Sequence, residues 1–188
     1  MTSNALLLKR AQRGDRNAVD ALLRENYDAV RAVCHRILIN SSDAEDATQM
    51  ALMAIVRALP SFDGRAKFST WVYRIATNAA LDELRRIRRR DVPNDEAKFE
   101  NISVADATDA VNAQMDVSSA LAQVPEEFRV VLVLRHIADL DYEEIAEVLS
   151  IPVGTVRSRL SRGRAQLTEL LGNQSESPGR QTNAGGQP

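Results

Sequence analysis

Histidine and cysteine are nearly missing from these 188 residues: His35, His136 and Cys34 are all there are. One cysteine makes no internal disulfide, and so few soft ligands at no regular spacing leave no zinc or similar centre to assemble. A glycine-rich phosphate loop is absent too, and with it a common route into nucleotide chemistry. No metal, cofactor or catalytic centre is therefore expected, and Cys34-His35, set in a helical apolar pattern, reads as packing. No apolar run approaches the roughly 20 residues of a membrane span. The opening "MTSNALLLKRAQRGD" is too short in its apolar part for a secretory signal, so the chain is expected in the cytosol without membrane insertion. Period-two alternation is also lacking, which removes the usual mark of a sheet.

What is present is helical spacing and segregated charge. Hydrophobic residues make up 44% of the chain, and the net charge is only −2. That balance conceals two basic stretches. Residues 64 to 90 hold Arg65, Lys67, Arg74, Arg85, Arg86, Arg88, Arg89 and Arg90 against Asp82 and Glu83. Residues 150 to 167 hold Arg157, Arg159, Arg162 and Arg164 against no acid. Between them, from Asp91 to Glu127, Lys98 is the single base among acids. Two positive surfaces separated by a segment of opposite sign suit a polyanion, although solvated helix faces carry charge runs as well.

Three-and-four spacing of Leu, Ile, Val, Met and Ala predicts an all-α protein with helices near 3 to 13, 16 to 39, 43 to 59, 69 to 89, 113 to 123, 126 to 138, 142 to 149 and 155 to 171. Gly14-Asp15 separates the first two. Ser42 with Glu45 predicts a capping box for the third, and Ser69 or Thr70 a cap for the fourth. Residues 91 to 112 read as a flexible acidic linker between two helical domains, 1 to 90 and 113 to 172, and 173 to 188 as a disordered tail.

In the second domain "EEIAEVLSIPVGTVRSRLSRGRAQL" joins two amphipathic helices through a Pro-Val-Gly break, the layout of a helix-turn-helix with Thr155 capping the second helix. Val156, Leu160, Leu167 and Leu171 share one sector and face a core. Arg157, Ser158, Arg159, Ser161 and Arg162 then point outward, a mix of forked donors and short hydroxyls that suits a major groove. Glu143 and Glu144 read as solvated or paired with neighbouring arginines rather than as base readers. An amphipathic hairpin that binds nothing shares the apolar pattern but does not explain the acid-free face.

In the first domain "SFDGRAKFSTWVYRIATNAALDELRRIRRR" runs from a glycine-bearing loop into a helix with Trp71, Tyr73 and Asn78, then into an arginine cluster. Aromatics beside a basic groove can stack on unpaired bases. Trp71, four residues before Ile75, reads as a core residue for most of its ring. Asp43, Glu45 and Asp46, at the start of "DAEDATQMALMAIVRAL", complement a helix dipole, or with Gln49 receive a basic partner.

"DAEDATQ", "FDGRAKFSTWVYRIATNAALDELRR" and "LDYEEIAEVLSIPVGTVRSRLSRGRAQL", in that order, resemble the sigma factors of the bacterial sigma-70 family, of the small extracytoplasmic-function type. The resemblance spans Leu6 to Leu171. It implies a transcription-initiation factor that binds core RNA polymerase and promoter DNA, as duplex and as melted single strand, and is held in check by an anti-sigma factor. It assigns Asp43, Glu45, Asp46 and Gln49 to polymerase docking. It assigns Ser61, Phe62, Asp63, Gly64, Lys67, Phe68, Trp71, Asn78, Arg85 and Arg86 to a melted minus-ten element. Arg135, Tyr142, Glu143, Thr155, Arg157, Ser158, Arg159, Ser161 and Arg162 go to a minus-thirty-five duplex. Ala47 and Thr48 stand where that family has bulky aliphatics, and Met50 where an acid often follows the glutamine, which implies weaker docking. A competing reading is a helix-turn-helix regulator that acts without polymerase, its first domain dimerising or sensing a ligand; it leaves residues 61 to 90 unexplained.

Overall fold

Gly14, at φ +87, makes a turn that a side chain would strain, and Asp15 begins the next helix by accepting the Ala18 amide at 3.2 Å. α1 (Ser3–Gln12) and α2 (Arg16–Ile37) lie on either side. The computed structural model describes residues 3–90 and 117–175; the expected linker, the start of the helix expected from 113 and the tail beyond 175 lie outside the described residues. α3 (Ser41–Ala58) starts ahead of the expected box at Ser42. Asn40 takes the amides of Ser42 at 2.8 Å and Asp43 at 3.2 Å, so Ser42 is a donor inside the first turn and not the cap. A short 3-10 turn (Leu59–Ser61) leads through a loop to α4 (Phe68–Arg90). Ser69 and Thr70 sit within its first turn and do not cap it, because the Lys67 carbonyl already receives the Trp71 amide at 3.0 Å.

The second unit comprises α5 (residues 117–123), α6 (Glu126–His136), α7 (Tyr142–Leu149) and α8 (Val153–Ser175). A capping box does occur here, between Asp141 and Glu144, at the head of α7. α7 ends on Ser150 in the left-handed region, φ 54. The Pro152 carbonyl accepts from Thr155 at 2.9 Å and Val156 at 3.2 Å, which puts Thr155 and Gly154 in the first turn of α8; Thr155 is therefore not its cap. Proline tolerates this place because it has no amide to satisfy and its φ is already fixed. α8 continues to Ser175, three residues into the expected tail.

Small residues let α2, α3 and α4 approach closely. Ala44, Ala47 and Ala51 of α3 meet Ala76 and Ala80 of α4 and Val30, Val33, Cys34 and Ile37 of α2, all buried. Burial pushes the Cys34 thiol up to about 11, so it is inert as a nucleophile near neutrality. Ala47 and Thr48 are buried here, where their small size is matched to helix packing, and Ala47 also lines a groove between α3 and α4. In the second unit α6 is buried from Phe128 to Leu134, apolar on nearly all sides as an enclosed helix must be. α8 crosses it at Gly163, where an added Cβ would lie 3.0 Å from a Leu132 methyl. Among the described residues the architecture is all-helical, and one apolar cluster runs through both units, with α6 on α2 and α7 on α4. A smaller cluster, Ala11, Ala18, Leu22 and Leu59, seats α1.

Candidate nucleic-acid interface

The buried side of α8 is Val156, Leu160 and Gly163. With that side turned to α6, the helical period leaves Arg157, Ser158, Ser161 and Arg162 exposed together on the opposite side. Among the described residues Arg157 and Arg162 have no carboxylate partner. Ser158 donates to the Thr155 carbonyl at 3.0 Å. Arg159 lies outside this quartet, half-buried and paired with Glu127 of α6 at 3.0 Å. Arg135 braces the turn before α7: it donates to the Leu140 carbonyl at 2.9 Å and lies 6.0 Å over the Tyr142 ring. It thus fixes the end of the helix that carries Tyr142 and exposed Glu143. Arg164 adds to the same positive corner, and His136 lies within its field. The imidazole is held below its ordinary pKa by burial, then by Arg164 and Arg135, and stays neutral near pH 7.

At the other site the aromatics stack on one another. Phe62 meets Phe68 edge-on at 5.5 Å and Trp71 at 5.1 Å, and Phe68 stacks on Trp71 at 5.5 Å. Trp71 and Phe68 rest on the small cluster under α1, and Gln12 ties the loop down by donating to the Phe62 carbonyl at 2.8 Å. Trp71 is half-buried, a packing residue that touches both apolar clusters. The loop between them exposes Ser61, Asp63, Gly64 and Lys67; Gly64 has φ +75 and Asp63 accepts the Arg65 amide at 3.1 Å.

Two sets assigned to different partners converge between α3 and α4. Asp46 and Gln49 share with Asn78 and Arg86 the lining of a groove of about 530 Å³. Its apolar wall includes Met50 and Met53, 53% and 46% exposed, and Val56 lies one turn further along α3. Met53 and Val56 escaped the sequence reading, and Met50 entered it only as a departure from the family pattern. Their signal is an apolar stripe at 50, 53 and 56 lying off the buried stripe 44, 47, 48, 51, 55. The acids of α3 do not stay together: Glu45 faces α2, bonded to His35 at 2.9 Å and Arg31 at 3.1 Å, while Asp43 pairs with Arg90 at 3.5 Å and Asp46 with Arg86 at 3.7 Å. Arg85 pairs with Asp82.

Residues 22–90 match the family model Sigma-70 region 2, and residues 114–167 match Sigma-70, region 4. This chain belongs to the sigma-70 family. As a sigma factor it has relatives of the extracytoplasmic-function group. It is 32% identical to ECF RNA polymerase sigma factor SigW of Bacillus subtilis, covering 87% of this chain and 94% of the relative. It is 36% identical to RNA polymerase sigma-H factor of Pseudomonas aeruginosa, covering 88% and 92%. With ECF RNA polymerase sigma-E factor of Escherichia coli K12 the identity is also 36%, covering 86% and 91%. Its fold is similar to sigma factor RpoE, solved with the anti-sigma factor NepR from Bartonella quintana: TM-score 0.72, 25% identity, 81% of this chain and 96% of that one. CnrH, solved with the cytosolic domain of CnrY, gives TM-score 0.69, 26% identity, and coverage of 94% and 100%. Among the described residues of the sigma factor no helix is long and apolar enough to cross a membrane, and no group of three metal-ligating side chains occurs.

Proposed function

We propose that this sigma factor of the extracytoplasmic-function group binds core RNA polymerase and directs it to promoters, with reading divided between its two units. The observation that carries the division is the exposed quartet Arg157, Ser158, Ser161 and Arg162 on a helix seated by Gly163, set apart from a loop-and-helix surface whose aromatics already stack. α8 enters the major groove of the minus-thirty-five element; Arg157 and Arg162 read base edges, and Tyr142, Glu143, Thr155, Ser158 and Ser161 complete the contact. Arg135 acts by holding Tyr142, and Arg159 joins only by leaving Glu127. The loop 61 to 68, with half-buried Trp71, meets the melted minus-ten strand, where an unpaired base extends an existing aromatic stack. Arg85 and Arg86 contribute phosphate contacts there once they part from their acids.

Polymerase docks on the α3–α4 groove. Gln49 and Asp46 supply polar contacts, and Met50, Met53 and Val56 supply an adaptable apolar stripe that explains why a soluble helix exposes them. Asp43 and Glu45 support α3 from within the chain. Asn78 lines that groove and serves docking or the adjacent strand. An anti-sigma protein is a further partner, by analogy with the neighbours solved with theirs. Transcription of genomic DNA by core polymerase, with and without the purified chain, tests the reading: new start sites that share two upstream elements support it. Tight palindromic binding by the chain alone, with no effect on core polymerase, would favour the regulator.

A further inference from the structure

Asp82 and Glu83 are neighbours in sequence, but the turn of about 100° between successive helical residues sends them different ways. Asp82 stays in solvent and pairs with Arg85. Glu83 turns inward, its side chain 9% exposed, and among the described residues it is the one buried acid. An apolar side chain would fill that place without a desolvation cost, so packing alone does not account for a carboxylate there.

Its partners account for it. Glu83 pairs with the Nε of Arg86 at 2.8 Å and lies 3.7 Å from Arg90. Both arginines also reach toward α3: Arg86 stops 3.7 Å from Asp46, beyond hydrogen-bond range, and Arg90 comes to 3.5 Å from Asp43. The Arg86 guanidinium is held above its ordinary pKa by the Glu83 hydrogen bond and charge first, with Asp46 and Asp43 contributing less. Three carboxylates thus share two guanidiniums, and one negative charge is left uncancelled. It falls on Asp46, whose side chain is 57% exposed against 20% for Asp43. Asp46 lines the groove beside Gln49, Met50 and Met53.

Resting on the polymerase docking assigned above to the α3–α4 groove, we propose that Glu83 is a positioning residue for that docking: by holding Arg86 on α4 it leaves the charge of Asp46 free for a basic group of core polymerase. Glu83 acts through Arg86 alone. With the Glu83 charge gone, two carboxylates face two guanidiniums, and Arg86 has to move by only about 1 Å to bond Asp46 directly. The groove then offers its partner a neutral pair in place of an acid.

The affinity of the full-length chain for core RNA polymerase, measured by fluorescence anisotropy without DNA, tests this. Glu83→Gln keeps the shape and a hydrogen-bond acceptor for Arg86 but drops the charge, and should weaken binding about fivefold. Arg86→Ala in that background should restore the parent affinity, which the loss of a merely structural acid would not allow. Asp46→Asn alone should match Glu83→Gln, and adding Glu83→Gln to it should cost nothing more. The double variant Glu83→Leu with Arg86→Ala, an apolar replacement that strands no partner, should fold and bind core polymerase as the parent does. Parent affinity in Glu83→Gln, a loss that Arg86→Ala leaves in place, or weakened binding by the folded double variant overturns the proposal. The double variant Met50→Ser with Met53→Ser scores the docking face separately. If it binds weakly while Glu83→Gln binds as the parent does, the positioning role alone falls; if it keeps the parent affinity, the groove is not the docking face and the proposal falls with it.

Discussion

α4 and α8 are both 23 residues long and both rich in arginine, yet they hold their charge in opposite ways. Of six arginines on α4, five face a carboxylate: Arg74, Arg85, Arg86, Arg88 and Arg90, with Arg89 the exception among the described residues. Of four on α8, only Arg159 does among the described residues. The cause is the acids within reach. Asp82 and Glu83 lie three residues before Arg85 and Arg86, and Asp43 and Asp46 of α3 come across the groove, whereas α8 has no acid from 150 to 167. A count of basic residues therefore measures potential contact; the neighbouring carboxylates decide how much is ready for use.

The comparison breaks most severely if the helices lose their common support. Leu134 of α6 is fully buried in the cluster that runs beneath both units. Leu134→Ala should cost about 2–5 kcal/mol, with tryptophan fluorescence from the first unit and helical signal from the whole chain lost in one urea transition. Two separate transitions would show that the units do not share stability. Next in size is Arg162→Ala, which should lose about 1–3 kcal/mol of discrimination between a promoter and a scrambled duplex in the polymerase complex. Arg85→Ala, already neutralised by Asp82, should move discrimination little.

Acid sharpens the contrast. Glu144 is held below its ordinary value of 4.5, chiefly by the Asp141 amide and then by Lys67 and Thr70, against the opposing effect of burial. Its unfolded form binds the proton first, so the stability it contributes is complete above 4.5 and is lost as pH falls through the lower folded value. Glu45, lowered by His35 and then Arg31, acts in the same direction. Urea midpoints should fall in that window, while the arginines of α8 keep their charge throughout. The smallest effect belongs to Arg89→Ala, which should weaken DNA binding evenly across sequences and reduce the salt slope by about 0.9, one phosphate's worth. Loss confined to one sequence would reverse the roles given to the two helices.

Periodicity made most helices legible to within about two residues, because their buried stripes are continuous: 44, 47, 51, 55 on α3 and 156, 160, 163 on α8, which nevertheless runs to Ser175, past its expected end at 171. Caps were less legible. Asn40, Ser41 and Ser42 are all good capping types in a row, and only backbone geometry chooses Asn40. The box at Asp141 and Glu144 was not legible, because two adjacent glutamates read as surface charge until the backbone places Glu144 at the third helical position. The outward set on α8 followed from the stripe, except for Arg159, whose partner Glu127 is 32 positions away. Distance in sequence also hid the packing of the two units: Lys67 and Glu144 are 77 residues apart, and no local pattern joins them. The groove proposed for docking was half visible, through Asp46 and Gln49, because methionines at a helical interval look like core until burial is known.

Ser150 keeps a left-handed backbone at φ 54 where glycine would sit without strain. A glycine would relax that corner, but it would also let α7 and α8 meet at a wider spread of angles. A duplex presents a slot of fixed width and pitch, and a probe that wobbles at its hinge loses fidelity before it loses grip. The serine's awkward backbone thus serves as a stiffener, and the angle it holds is the dimension on which the proposed reading of a duplex would depend.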